Sequence, residues 1–455
     1  MRKLLLGAVA AMICGTGMSQ HAPLKSHLIP VKAIEKNVND NSLNNTGSVV
    51  NQRIVPNAPE GVTSVEITTI GDAANAYGLY NGGRTYLWVD QNINSISFVH
   101  RMGANPGSGF LAYDLSTDGG VNWDVNRQVY APGDNTNARY PQGAIYNPAA
   151  NTDPNNAYFT YFAPTLDGSN AGTWGGYGAG AHKLDNSTAA TQQNFTTTGD
   201  FYKNVPTTMV INPVTGELWV VETALNGGLS TDYDGKLIVT RGIWNDANGD
   251  YDYTESLFEA PMLPSGENAT LSDVAMAFAP DGQIGYISCL GDNGSDDFST
   301  GFGYIPVLYK TEDGGNTWSE PINVPLSGPE GLTGILNYLS DEQLASAFDP
   351  VPARDEILYT LAFTHKIAVD YAGNPHICVT VGLGSTDTPY SIVASGGYGA
   401  TFDIHSSNQG VHWQADMLAP NKTFRGEFGE ISEDNRSQIS TTPNGKKMLF
   451  TWLDT

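Results

Sequence analysis

The sequence predicts an all-β protein, a six-bladed β-propeller of four-stranded antiparallel sheets, with seven blades as the alternative count. Three observations predict it: a succession of short β-branched and aromatic runs, a repeated strand–proline–turn–strand unit, and a turn motif that returns at a fixed place in that unit. Runs such as TYLWVD, SISFVHR, FLAYDLS, ELWVVE and HICVTVG have strand length and composition and are bounded by Gly, Asn, Asp and Pro. Helical periodicity is confined to SDEQLASAF, residues 340–348.

The first segment, MRKLLLGAVAAMICGTGMSQ, carries two basic residues, an apolar run and then small residues. It reads as a secretory signal over 1–19, cleaved after Ser19, and predicts a secreted protein, extracellular or at a bacterial cell surface rather than periplasmic. Residues 20–60 are polar and weakly periodic, as a leader or linker would be, and 61–455 hold the β candidates. No later stretch reaches the roughly 18 apolar residues of a spanning helix. A formal charge of −25, from 47 acidic and 22 basic residues, repels phosphate backbones, so nucleic acid is not an expected partner.

Five segments repeat an apolar strand, a proline anchor, a turn and a second strand: AIYNPAANTDPNNAYFTYF, MVINPVTGELWVVE, MAFAPDGQIGYISCL, SAFDPVPARDEILYTLAF and QISTTPNGKKMLFTW. Their anchors are Pro148, Pro213, Pro280, Pro350 and Pro443, spaced 65, 67, 70 and 93 residues apart. A unit of this length fits a four-stranded sheet, and radial packing lets neighbouring sheets cover each other's apolar faces. With a first unit near 76–130 the count is six. The last unit shows two strands before Thr455, so the segment TSVEITTI, 63–70, is expected to join it and close the ring.

The recurring motif is STDGGVNW, TEDGGNTW and SSNQGVHW. Its shared positions are Ser116, Asp118, Gly120 and Trp123; Thr311, Asp313, Gly315 and Trp318; Ser406, Asn408, Gly410 and Trp413. Hydroxyl and Asp/Asn oxygens accept local backbone N–H groups, glycine permits a left-handed backbone, and tryptophan is expected to bury apolar surface, so the motif reads as a structural turn. On these boxes the chain resembles the sialidase-like, Asp-box (BNR-repeat) β-propeller superfamily over residues 61–455. The leader, with its Ser-Gln ending, looks like those of secreted proteins from the Bacteroidota.

The resemblance implies two activities to weigh, since that superfamily holds both glycosidases and binding modules. Exo-sialidases clamp a substrate carboxylate with three arginines beside a tyrosine nucleophile and acids, and here the carry-over is poor: Arg139 and Arg436 lie near strand starts, where they could face a central channel. Glycoside hydrolysis by two carboxyl groups points to Asp273, Asp341, Glu342 and Asp434, also near strand starts, with a solvated acidic rim as the alternative. WNDANGDYDYTE, 244–255, spaces Asp246, Asn248, Asp250 and Asp252 at alternate positions around Gly249, as in calcium loops, so a structural Ca2+ is one reading and a solvated turn the other. GTWGGYGAGAH and SGGYGATF read as aromatic loops able to stack on a sugar or clamp a peptide, through Trp174, Tyr177 and Tyr398. Cys289 and Cys378 sit in apolar runs as buried free thiols, with one disulfide as the alternative. The favoured reading is a noncatalytic module binding a protein or glycan outside the cell; the alternative is a glycoside hydrolase, possibly exo-sialidase-like, with a diverged site in the channel.

Overall fold

The computed structural model describes residues 23–32, 67–73, 85–103, 105–133, 136–166, 174–196, 205–225, 233–259, 273–292, 302–424, 426–428, 431–433 and 435–454. After β1 (Val31–Lys32), four sheets of four antiparallel strands follow in chain order. They are β2 (Leu87–Asp90), β3 (Ser95–Arg101), β4 (Leu111–Ser116) and β5 (Asp124–Tyr130); then β6 (Gln142–Tyr146), β7 (Tyr158–Leu166), β8 (Trp174–Lys183) and β9 (Gln193–Thr196). Next come β10 (Thr208–Ile211), β11 (Leu218–Leu225), β12 (Tyr233–Asn245) and β13 (Asp250–Glu259); then β14 (Val274–Phe278), β15 (Gly285–Gly291), β16 (Ile305–Thr311) and β17 (Ile322–Asn323). Two short helices, α1 (Thr333–Leu336) and α2 (Asp341–Ala347), precede a six-stranded sheet. It joins β18 (Tyr359–Val369), β19 (Pro375–Gly384), β20 (Ser391–Val393), β21 (Ala400–Ser406) and β22 (Trp413–Pro420) with β1. Two-stranded sheets of β23 (Gly426–Phe428) with β24 (Ile431–Glu433), and β25 (Gln438–Thr441) with β26 (Met448–Thr451), complete the described chain.

The middle strands are apolar on both faces because consecutive sheets cover each other. One buried cluster joins Tyr113 and Leu115 to Phe159 and Tyr161, a second joins Phe162 and Tyr177 to Met209 and Val220, and a third joins Val221 and Val239 to Val274 and Ile287. The largest spans β14–β17, the helices and β18–β22. Every residue of β4 and β15 is buried, whereas the outermost β5 and β22 expose much of their length.

Among the described residues the closed six-bladed ring expected from the sequence is not formed. The described strands make separate open sheets of unequal size, none curled or closed on itself. The expected closing strand is not seen in its described part: residues 67–73 contain no strand. Gly71 and Asp72 instead donate backbone N–H groups to Asp114 Oδ2 (2.9 Å) and Asn126 Oδ1 (3.2 Å) on the first sheet. The expected unit around Pro350 is also displaced. Ser340 and Gln343 form a reciprocal capping box, so SDEQLASA becomes the capped helix α2, and β18 turns into β19 at DYAGN, where Asp370 accepts from Ala372 and Asn374. Residues 23–32, within the expected leader, lie against this region: Lys25 donates to Ala347 O, and Val31 and Lys32 pair with β20. No helix among the described residues is long and apolar enough to cross a membrane.

Candidate functional site

The most unusual polar assembly joins three strands of two sheets. The β18–β19 register shifts between Leu361 and His365, freeing the His365 N–H from the ladder. That N–H donates to Asp273 Oδ2 at 2.9 Å, and the imidazole Nδ1 lies 3.2 Å from the same oxygen. Nε2 lies 3.0 Å from Ser288 Oγ. With Nδ1–H given to the carboxylate, Nε2 is left to accept the Ser288 hydroxyl proton. The side chains of His365 and Asp273 are 0% and 1% exposed, and Ser288 is equally buried. An Asp–His–Ser order is that of a nucleophile relay, but a relay must end on an accessible hydroxyl. Here the hydroxyl ends inside the sheet packing, so the chain positions Asp273. The second carboxylate oxygen, Oδ1, is buried with no hydrogen-bond partner.

A second buried carboxyl, Glu222, lies at the same end of the neighbouring sheet. Val221 pairs with Thr208, and the hydroxyl of the adjacent Thr207 donates to Val274 O at 2.7 Å, so the neighbours of Glu222 and Asp273 are joined across the two sheets. At the corresponding ends of β3 and β6 two guanidinium groups are buried: Arg101 Nε donates to Ser108 O (2.8 Å), and Arg139 donates to Ser108 O (3.3 Å) and Ala138 O (2.9 Å). Tyr140 stands edge-on to Trp174 with ring centroids 5.8 Å apart.

A cavity of about 760 Å³ opens between the first strands of five sheets, walled by parts of β2, β10, β14, β18 and β25. Trp88 and Trp452 line it, and its only charged lining groups among the described residues are Lys366 and Arg436. A cationic wall in a chain of charge −25 suits an anionic group. Asp273 lies two residues before Ala275, which borders this cavity.

The residues singled out from sequence are scattered. Arg436 lines the cavity and Arg139 does not, so they form no common clamp on its wall. Asp341 is an exposed acid in the first turn of α2, where it suits the helix dipole and pairs with Arg354 at 2.6 Å; Glu342 lies beside it, exposed in the same turn. Asp434 lies outside the described residues. The first aromatic segment is a strand: Trp174 and Tyr177 are buried on β8, Tyr177 against Phe162. The second does turn, between β20 and β21, but Tyr398 is buried there and its carbonyl accepts from the Tyr338 hydroxyl. Alternation explains the error, since small glycines on β8 let aromatic side chains pack inward. Cys289 and Cys378 are buried free thiols, and burial pushes the Cys378 thiol up to about 12.

The expected calcium loop is the β12–β13 hairpin, and its polar groups are engaged locally. Asp246 accepts from Trp244 Nε1 (2.8 Å), Asp252 from Asn245 Nδ2 (2.9 Å), and buried Asp250 from Tyr251 N (2.8 Å) and Gln193 Nε2 (2.9 Å), while Asn248 N–H caps Asn245 O. The three carboxylates do not gather around one point. Among the described residues the group able to hold a metal ion is instead His376, Asp403 and His405.

The three Ser/Thr–Asp/Asn–Gly–Trp segments fold into one repeated turn. Gly120, Gly315 and Gly410 have φ of 94°, 96° and 92°, and each donates its N–H at 2.8 Å to the hydroxyl of Ser116, Thr311 or Ser406. Asp118, Asp313 and Asn408 accept from the backbone N–H of Asn122, Thr317 and His412. Side-chain and backbone donors of Asn122 hold the Asp118 carboxyl down at about 2, and the Thr317 hydroxyl and N–H do the same for Asp313. The tryptophans are half-buried rather than fully tucked away.

Sequence reasoning found Asp273 and Arg436 but missed His365, Ser288, Glu222, Lys366 and Arg101. The available signal was polar residues inside otherwise apolar strands: His365 and Lys366 in YTLAFTHKIAV, Ser288 in GYISCLG and Glu222 in LWVVETAL.

No protein-family model and no curated protein matches the chain. Solved structures do show a sheet-rich likeness. An exo-1,5-α-L-arabinanase from a bovine ruminal metagenomic library is 9% identical, covering 77% of this chain and all of that one, at a TM-score of 0.33. A Cellvibrio cellulosa α-L-arabinanase is 10% identical over 73% of this chain and 95% of its own, at 0.36. An ulvan lyase of polysaccharide lyase family 25 is 11% identical over 78% and 74%, at 0.41. At these identities and TM-scores no activity transfers to this chain. These three structures are named as enzymes and none as a noncatalytic binding module, so they lend the expected noncatalytic reading no support.

Proposed function

We propose that the chain is a secreted carbohydrate-active enzyme that cleaves a glycan, with Asp273 and Glu222 as its acid–base pair and Lys366 and Arg436 receiving an acidic group of the sugar. The leader over 1–19 supports export. One observation carries the reading: the buried Asp273 carboxylate has one oxygen fixed by His365 and the other without a partner. Burying such a group costs free energy that a structural role would recover by satisfying both oxygens. An oxygen left unmatched just before a strand, two residues ahead of the cavity-lining Ala275, has the chemistry to give or take a proton.

The test is turnover on a panel of arabinans, galactans, uronate-containing polymers and sialosides, with wild type, D273N and E222Q, each checked for folding by circular dichroism. Wild type should release products from an acidic glycan, and either substitution should lower kcat about 10²- to 10⁴-fold, the usual worth of a positioned acid or base. Turnover unchanged in folded D273N, or no cleavage of any polymer by wild type, overturns the proposal.

A further inference from the structure

We infer that His376, Asp403 and His405 form a binding site for a divalent transition metal of the zinc class, on the face that β19 and β21 share. The inference is independent of the glycan-cleaving reading, because these residues belong to none of the groups assigned to it.

The backbone dictates the placement. His376 on β19 is the direct pairing partner of His405 on β21, and Cys378 is the partner of Asp403. Side chains two residues apart on a strand share a face, so His376, Cys378, Asp403 and His405 occupy the four corners of one cross-strand block. The carboxylate sits between the imidazoles. His376 Nδ1 is 2.9 Å and 3.2 Å from the two Asp403 oxygens, and His405 Nδ1 is 3.6 Å from Oδ2. The rings lie nearly parallel, 12° apart with centroids at 5.2 Å, so their nitrogen edges are offered side by side.

One ligand atom from each residue lies within 4.8 Å of the others. Zinc–nitrogen and zinc–oxygen bonds are about 2.0–2.2 Å, which puts neighbouring ligand atoms of a tetrahedron roughly 3.3–3.5 Å apart. The observed 2.9 Å and 3.6 Å separations bracket that edge, so the carboxylate already stands near ligand spacing from both imidazoles. Exposure is also suitable: the side chains of His376, Asp403 and His405 are 18%, 11% and 16% exposed, enough for entry and little enough for desolvation to strengthen ligation.

Donor type selects the metal. Two neutral imidazoles and one carboxylate suit zinc, copper or nickel, whereas calcium takes six to eight oxygens. Three protein ligands leave a fourth position for water or for the Cys378 thiol at the fourth corner. Binding displaces any proton shared between His376 and Asp403, because the ligating nitrogen must be neutral. The ion would join β19 and β21 at a point where the strands are already paired, so it would stabilise the sheet without reorganising it.

The experiment is metal loading of the full chain. Protein stripped with a chelator and dialysed is titrated with Zn2+ by calorimetry, its metal content is measured by mass spectrometry after desalting, and melting is recorded with and without the ion, for wild type, H405Q and D403N. The expected result is one zinc per chain in wild type, a rise in Tm on loading, and at least a tenfold loss of affinity in each variant, whose metal-free melting stays near that of metal-free wild type. Co2+ should give a tetrahedral visible spectrum in wild type, with a thiolate charge-transfer band that disappears in C378S if the cysteine is the fourth ligand. Should H405Q fail to fold, protection of His376 and His405 from diethyl pyrocarbonate by Zn2+ in wild type replaces it. No stoichiometric zinc in wild type, equal affinity in folded H405Q, or no zinc protection of the two histidines overturns the inference.

Discussion

The three repeated Ser/Thr–Asp/Asn–Gly–Trp turns and the Asp273–His365–Ser288 chain are both hydrogen-bonded polar devices, and they are built in opposite ways. Each turn closes within eight residues, lies at the surface, and reuses one bonding scheme three times. The buried chain draws on residues 77 and 92 positions apart and occurs once among the described residues. A turn tolerates loss of one member because water can replace the missing partner. The buried chain has no such reserve, and every orphaned group there bears its full desolvation cost.

The largest expected effect tests that difference directly. D273A removes the acceptor of two buried donors, at roughly 1–3 kcal/mol each, and should destabilise the fold by about 2–4 kcal/mol in urea melts; a loss near zero would mean that the pocket relaxes or hydrates. Next, a Cβ on Gly315 would sit 2.4 Å from the Trp219 ring at a φ of +96°, so G315A should cost about 1–3 kcal/mol. W318A should fall in the same range, below the cost of a fully buried tryptophan, because its ring is half-buried against Trp219. S288A is smaller, about 1 kcal/mol, since one neutral hydrogen bond is removed and His365 keeps its carboxylate.

The smallest effect separates the turns from one another. Asp118 and Asp313 titrate near 2 in the fold and near 3.8 when unfolded, so their contribution is present above about pH 4 and is lost as pH falls through 2. Asn408 cannot titrate. D313N should therefore flatten the dependence of Tm on pH between 4 and 2, and N408D should steepen it; identical slopes in both variants would show that the depressed acidity does not couple to folding.

Much of the strand inventory was legible because period-2 apolar runs and Asx–Gly turns are short-range signals. TYLWVD, FLAYDLS and ELWVVE fall on β2, β4 and β11. The errors arose where short-range signals competed. SDEQLASAF carried both a helical pattern and the strand expected before Pro350, and the Ser340 capping box decides for α2, while the glycine-rich run of β8 read as a loop although its aromatics pack inward. The ring closure failed for another reason: which sheet an isolated segment docks on depends on distant side chains, here Asp114 and Asn126. The candidate site was legible at Asp273 and Arg436, whose positions before strands are local features.

By itself the sequence determined that the chain is β-rich, acidic, and punctuated by three equivalent turns, because each of those properties is set by neighbours within about ten residues. Only the tertiary structure decided that the sheets stay open, that His365 finds Asp273 across 92 residues, and that His376, Asp403 and His405 share one face. Those pairings follow from burial of whole sheet faces and from strand register, and neither leaves a mark at any single position in the chain.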